Sequence, residues 1–131
     1  MSQENVLLAH RTYAALQRGD FDEFLSYFDP QVEFRSLVLE MEGVFRGHEG
    51  VRQWWAGLRG AFPDWNPSLV EVRDLDDRVL IHASATGKGA ASGVGIQTDL
   101  WQLVEVRNGR VVWYAAFRTE AEALEAAGLR E

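Results

Sequence analysis

The chain has no cysteine. It therefore forms no disulfide and does no thiol chemistry, a composition that suits a reducing compartment. Positive charge is also scarce. Thirteen Lys and Arg stand against 20 Asp and Glu, a formal net charge of −7 at pH 7. That balance repels a nucleic-acid backbone, and no basic stripe with interleaved aromatics offsets it, so no nucleic-acid partner is expected. No apolar run approaches the roughly 20 residues of a bilayer span, so no membrane partner is expected. The first eleven residues carry an acid early and no long apolar stretch, unlike a secretion signal, and the expected location is cytoplasmic. Internal repeats, low-complexity tracts and linkers are absent. A length of 131 residues then fits one domain, 1–131.

Two kinds of chemistry lack their usual motifs. His10, His48 and His82 are far apart, and none forms a His-x-x-x-His or carboxylate-flanked set, so no metal and no cofactor is expected. Residues 87–95 hold four glycines but neither a Lys-Ser/Thr ending nor a strand-to-helix setting, so they are no phosphate loop.

What is present is the material of a globular core: 47% apolar and 25% charged residues, with five Trp and seven Phe. Val6, Ala9, Tyr13 and Leu16 share one face of a helix expected over 2–18, capped by Ser2 and ended by Gly19. Asp20 starts a short second helix whose buried side is Phe21, Phe24, Leu25 and Phe28, and Asp29-Pro30 stops it. Val32, Phe34 and Ser36 alternate with Glu33 and Arg35 in a first strand. Residues 43–47 form a short second strand or turn. A third helix begins near His48, with Val51, Trp54, Trp55, Leu58 and Phe62 as a wide apolar stripe, and Pro63 closes it.

The rest alternates as sheet. Val70 and Val72 share a side against Glu71 and Arg73. After a turn at Asp76-Asp77, inward Val79, Ile81, Ala83 and Ala85 alternate with Leu80, His82, Ser84 and Thr86. Residues 87–95 read as a mobile loop. Strands over 96–107 and 110–118 flank Asn108-Gly109, whose residues tolerate the positive φ of a type I′ turn. Thr119 and Glu122 then box a closing helix that Gly128 ends. Helices first and an antiparallel meander last define an α+β fold rather than a parallel βαβ one.

The two-residue turn fixes a register, with Arg107 opposite Arg110. In that register Thr98, Leu100, Gln102, Val104 and Val106 face inward beside Val111, Trp113, Ala115 and Phe117. Trp101, Leu103, Val112 and Tyr114 face outward as an apolar patch rimmed by Glu105, Arg107, Arg110 and Arg118. A β-bulge in either strand swaps part of this assignment.

Four stretches carry a family likeness: Tyr-Ala-Ala-Leu-Gln-Arg-Gly-Asp at 13–20, Phe-Arg-Gly-His-Glu-Gly-Val-Arg at 45–52, Arg-Asn-Gly-Arg-Val-Val at 107–112 and Glu-Ala-Leu-Glu-Ala-Ala-Gly-Leu at 122–129. In their order and spacing the chain resembles the SnoaL-like branch of the nuclear-transport-factor-two-like superfamily. The resemblance implies a cone: a curved, mostly antiparallel sheet wrapped around N-terminal helices in a cystatin-like roll, with a pocket inside. It also implies a homodimer through the outer sheet face; the competing occupant of that face is the chain's own segment 121–129.

The superfamily spans isomerases, cyclases, dehydratases, hydrolases and non-catalytic members, so fold does not fix function. Residue by residue, the ketosteroid isomerases' carboxylate base matches Phe34, the cyclases' long-strand Asp or His matches Gln102, and a later Asp falls at Ala115 or Ala116. None of these residues moves a proton at neutral pH. Tyr13 lies one residue from the isomerases' oxyanion tyrosine. The expected ligand-binding set is Tyr13, Phe34, Trp54, Gln102 and Trp113, around a small apolar molecule. Core packing competes for the aromatic members, and an internal hydrogen bond competes for Gln102 and Tyr13. Glu40 and Glu42 are close in sequence but read as solvated loop. The alternatives are an enzyme of proton transfer or hydration on such a molecule, and a protein-interaction scaffold.

Overall fold

The computed structural model describes residues 2–36 and 44–128. Helix α1 (Ser2–Arg18) and helix α2 (Phe21–Ser26) lead into strand β1 (Phe28–Arg35). Strand β2 (Val44–Arg46), helix α3 (Gly47–Ala61), strands β3 (Asn66–Asp74), β4 (Arg78–Lys88), β5 (Gly95–Arg107) and β6 (Arg110–Phe117), and helix α4 (Glu120–Ala126) follow. The six strands form one sheet in the order β2-β1-β6-β5-β4-β3, antiparallel except for β1 beside β6. This is the expected α+β fold, with the sheet curled around the N-terminal helices. No described helix is long and apolar enough to cross a membrane. The capping role expected of the Ser2 side chain, and the Glu40–Glu42 pair, lie outside what is described.

Local chemistry sets the corners. Gly19 adopts φ +77 after α1, where a side chain would be strained. Asp20 caps α2 by accepting from the Glu23 amide at 3.0 Å. Asn108 and Gly109 both have positive φ, and Arg107 pairs with Arg110, so the two-residue turn is as expected. Phe28, expected on α2, instead opens β1. The span 87–95 is shorter as a loop than expected. Gly87 pairs with Ile96 and Lys88 with Gly95, and the Gly89 amide donates to the Val94 carbonyl. The pairing can extend through these glycines because each keeps its backbone hydrogen-bonding groups, at a cost in packing and backbone entropy.

Two bulges correct the face assignment. In β3 the register shifts between Leu69 and Glu71, leaving Val70 57% exposed while Leu69 and Val72 pack on the core. In β6, Val111 pairs with Val106 but Trp113 pairs with Glu105. Val112 is therefore an extra residue, and the period of two restarts after it. Tyr114 and Ala116 turn inward opposite Val104 and Gln102, while Trp113, Ala115 and Phe117 turn outward. The expected inward Trp113 and outward Tyr114 are both reversed for this reason.

The outer face is also partly covered by its own chain. Ala123 and Leu124 of α4 pack with Leu80, Trp101 and Phe117. Leu103 is buried too. The expected exposed patch of Trp101, Leu103, Val112 and Tyr114 therefore does not exist as one surface. The inner core is the larger one and joins α1, α2 and α3 to the concave face.

Candidate functional site

The concave face and the helices enclose a cavity in which the centre of a water molecule can reach about 60 Å³. One water needs roughly 10–15 Å³ by that measure, so the space exceeds a single solvent site. Its aromatic wall comes from three elements. Phe34 of β1 pairs with Tyr114 of β6, and their rings stack at 4.0 Å and 8°. Trp54 of α3 sits 4.7 Å from Phe34 at a 50° tilt. Its indole N–H is satisfied, donating to Ser36 Oγ at 2.8 Å.

The polar end joins a helix to the sheet. The Tyr13 hydroxyl of α1 donates to Gln102 Oε1 of β5. Burial holds the Tyr13 hydroxyl well above the ordinary phenol range, and the Gln102 bond offsets only part of that rise. Burial likewise raises Tyr114, with the neighbouring Tyr13 adding to it. Both phenols therefore stay neutral through the physiological range and act as hydrogen-bonding groups, not as bases.

Two groups at this end have no protein partner. Among the described residues, the Gln102 amide Nε2 and the Tyr114 hydroxyl make no hydrogen bond. Yet no buried side-chain nitrogen or oxygen is sealed off without one. Both groups must then face open space, and the space that both residues line is the cavity. The described lining contains no Asp, Glu, His, Lys or Arg.

Four of the five expected residues, Tyr13, Phe34, Trp54 and Gln102, thus meet around one cavity. Trp113 does not. It stands on the opposite face, beside Glu33, whose carboxyl is held below the usual range first by the Arg35 guanidinium (2.7 Å) and in smaller part by Trp113. Tyr114, Ser36 and Trp65 line the cavity and were not expected there. For Tyr114 the bulge at Val112 is the reason, since both faces of β6 are apolar and periodicity cannot locate an inserted residue. The histidines lie elsewhere. His48 Nε2 is 2.7 Å from the Phe28 carbonyl, and His82 stacks on Trp101 and meets Asp99 at 3.2 Å on the outer face. Among the described residues no cluster of three His, Cys, Asp or Glu could hold a metal.

Helices packed into a curled six-stranded sheet, with a cavity between, are the nuclear-transport-factor-two-like fold. Within it, the chain belongs to the SnoaL-like domain family, whose model matches residues 9–114. Solved structures agree in fold. An NTF2-like protein of unknown function from Burkholderia pseudomallei is 17% identical with a TM-score of 0.81, over 93% of this chain and 95% of that one. A putative SnoaL-like polyketide cyclase from a Jannaschia species is 20% identical with a TM-score of 0.77, over 96% and 92%. TerC, co-crystallised with polyporic acid, is 18% identical with a TM-score of 0.79, over 93% and 96%. No curated protein matches the chain in sequence.

Proposed function

We propose that this protein binds a small, largely apolar molecule in the cavity between α1, α3 and the concave sheet face. The observation that carries this reading is the pair of unpaired polar groups, Gln102 Nε2 and the Tyr114 hydroxyl, lining a largely apolar space. A core built only for stability gains nothing from leaving such groups open, because each forgoes about 1 kcal/mol of hydrogen bonding. A binding site gains orientation from them. The described lining offers no group that exchanges a proton near neutral pH, which favours binding over acid–base turnover. The co-crystallised TerC, a structural relative, supports a ligand within this fold. The test is native mass spectrometry of the protein purified without denaturation from its host. A bound mass that is lost in Phe34→Trp, while the variant keeps its wild-type circular dichroism, supports the reading; protein free of any adduct at physiological expression opposes it.

A homodimer through the exposed part of the outer face belongs to the same proposal. The half-buried Trp113, between Glu33 and Glu105, is its apolar centre. Light scattering at micromolar concentration should give a dimer that Trp113→Glu dissociates, and a wild-type monomer rules it out.

A further inference from the structure

The cavity shares a wall with a second space. An open groove runs between the first half of α1 and the β3–β4 and β5–β6 turns, where Glu4, Asp77 and Gly109 line it. Asn5, Leu8 and Val106 line both the groove and the cavity. These three side chains form a partition one residue thick, part helix and part sheet.

The two sides of the partition are not held alike. On the sheet side, the Leu75 amide donates to the Arg78 carbonyl at 2.9 Å and closes the β3–β4 turn. The Val106 amide donates to the Asp77 carbonyl at 3.1 Å and ties that turn to β5. On the helix side, the second half of α1 is fastened by Tyr13 to Gln102 and by Gln17 Nε2 to the Pro67 carbonyl at 2.9 Å. The first half is fastened to the turn by Asn5 Nδ2, which donates to the Asp76 carbonyl at 2.9 Å in an exposed contact. Water competes for a bond of that kind. The first turn of a helix also lacks carbonyl partners for its own amides, so helices open from their ends. Leu8 and Ala9 are buried, which makes the closed state the resting one.

We infer that the first two turns of α1 are a gate to the cavity, latched on the β3–β4 turn by Asn5 and hinged at Tyr13. When the latch opens, Asn5 and Leu8 swing away from Val106 and join the groove to the cavity. This rests on the proposed binding function and adds the route by which that site fills. Such a gate sets rates and not affinity, because the latch is closed both before binding and after it.

Ethylbenzene is the probe, and stopped-flow tryptophan fluorescence reads its association with and dissociation from the whole protein. Asn5→Ala removes the latch, and its higher helix propensity works against the expected effect rather than for it. Gln17→Ala, which frees the other end of α1 and lies outside the cavity lining, is the control. Asn5→Ala should raise both rates by about threefold to tenfold, the range for one lost hydrogen bond, and leave their ratio within about twofold of wild type. Gln17→Ala should leave both rates unchanged. Without ligand, amide hydrogen exchange of residues 6–11 should quicken in Asn5→Ala by a similar factor, with residues 14–18 unchanged. The chain has no cysteine, so a Glu4→Cys/Asp77→Cys pair can be joined across the groove by a reducible thiol crosslinker. The joined form should bind and release slowly, and reductant should restore both rates. Unchanged rates or exchange in Asn5→Ala, equal acceleration by Gln17→Ala, a change in one rate alone, or a joined form as fast as the reduced one overturns the gate and leaves the binding function standing. Failure of ethylbenzene to bind the wild type overturns both.

Discussion

The Tyr13 hydroxyl, on the first helix, donates to the Gln102 side-chain oxygen, 89 residues away on the long strand β5. This contact ties the helical layer to the centre of the sheet and lies at one end of a largely apolar cavity. It also orients the Gln102 amide, leaving its nitrogen free to face a ligand.

Removing both partners should cost less than the two single losses added together. Tyr13→Phe strands the Gln102 oxygen, with an expected loss of about 1–3 kcal/mol, the penalty for an unsatisfied buried acceptor. Gln102→Leu strands the Tyr13 hydroxyl with a similar loss. The double variant should be less destabilised than the sum of the two, by at least about 0.5 kcal/mol. Urea unfolding of the four proteins measures this, and strict additivity would mean that the bond does not form.

Alkaline pH should loosen the fold through its tyrosines. All three are raised: Tyr13 and Tyr114 chiefly by burial, Tyr27 chiefly by donating to Glu23. A raised folded-state value means that the native state favours the neutral phenol. The associated stability is complete below the unfolded value of about 10 and is lost as pH climbs above it, at up to about 1.4 kcal/mol per pH unit for each buried phenol. Tyr114→Phe should flatten the loss of stability above pH 10. Phenolate absorbance at 295 nm should appear late and together with unfolding; a full phenolate signal from folded protein at pH 10 contradicts the burial of Tyr13 and Tyr114.

The bulge at Val112 makes opposite predictions for adjacent aromatics. Tyr114→Ala should cost about 3 kcal/mol or more, because it empties the stack on Phe34. In the dissociated single chain, at a concentration below that of dimerisation, Trp113→Ala should cost about 1 kcal/mol, as for a half-exposed surface position. Thermal or urea unfolding ranks the two, and a larger loss at Trp113 would restore the unbulged register.

Helix α4 should act as a cover for the outer face rather than as a loose tail. Thr119 Oγ1 accepts from the Glu122 amide at 3.1 Å, and Leu124 is buried against the outer cluster. Thr119→Ala should cost about 1 kcal/mol, and Leu124→Ala about 2–4 kcal/mol. Losses below a few tenths of a kcal/mol for both, in urea unfolding, would show α4 undocked.

The sequence disclosed elements and most of the cavity, and its failures have physical causes. Helix stripes such as Val51, Trp54 and Leu58 declare their buried side, and Asn108-Gly109 pins a hairpin register, because both signals are local. Tyr13, Phe34, Trp54 and Gln102 follow from those signals plus the family resemblance. Trp113 and Tyr114 did not follow, since an inserted Val112 in a strand apolar on both faces leaves the hydrophobic pattern unchanged. The Val70 bulge hid for another reason: Val70 and Val72 alternate with Glu71 and Arg73, which is also the pattern of an unbulged strand. The parallel pairing of β1 with β6 is a contact between distant segments, which no local pattern encodes.

The central claim is that an apolar ligand enters the cavity between the helices and the concave face. Its most direct test is a two-dimensional ¹H–¹⁵N NMR titration of the labelled protein with ethylbenzene. The account predicts saturable shifts of the Trp54 indole N–H and the Gln102 side-chain –NH2, with Leu7 and Val70 on the outer surface unmoved. Shifts confined to such exposed positions, or none up to the solubility of the probe, would contradict it.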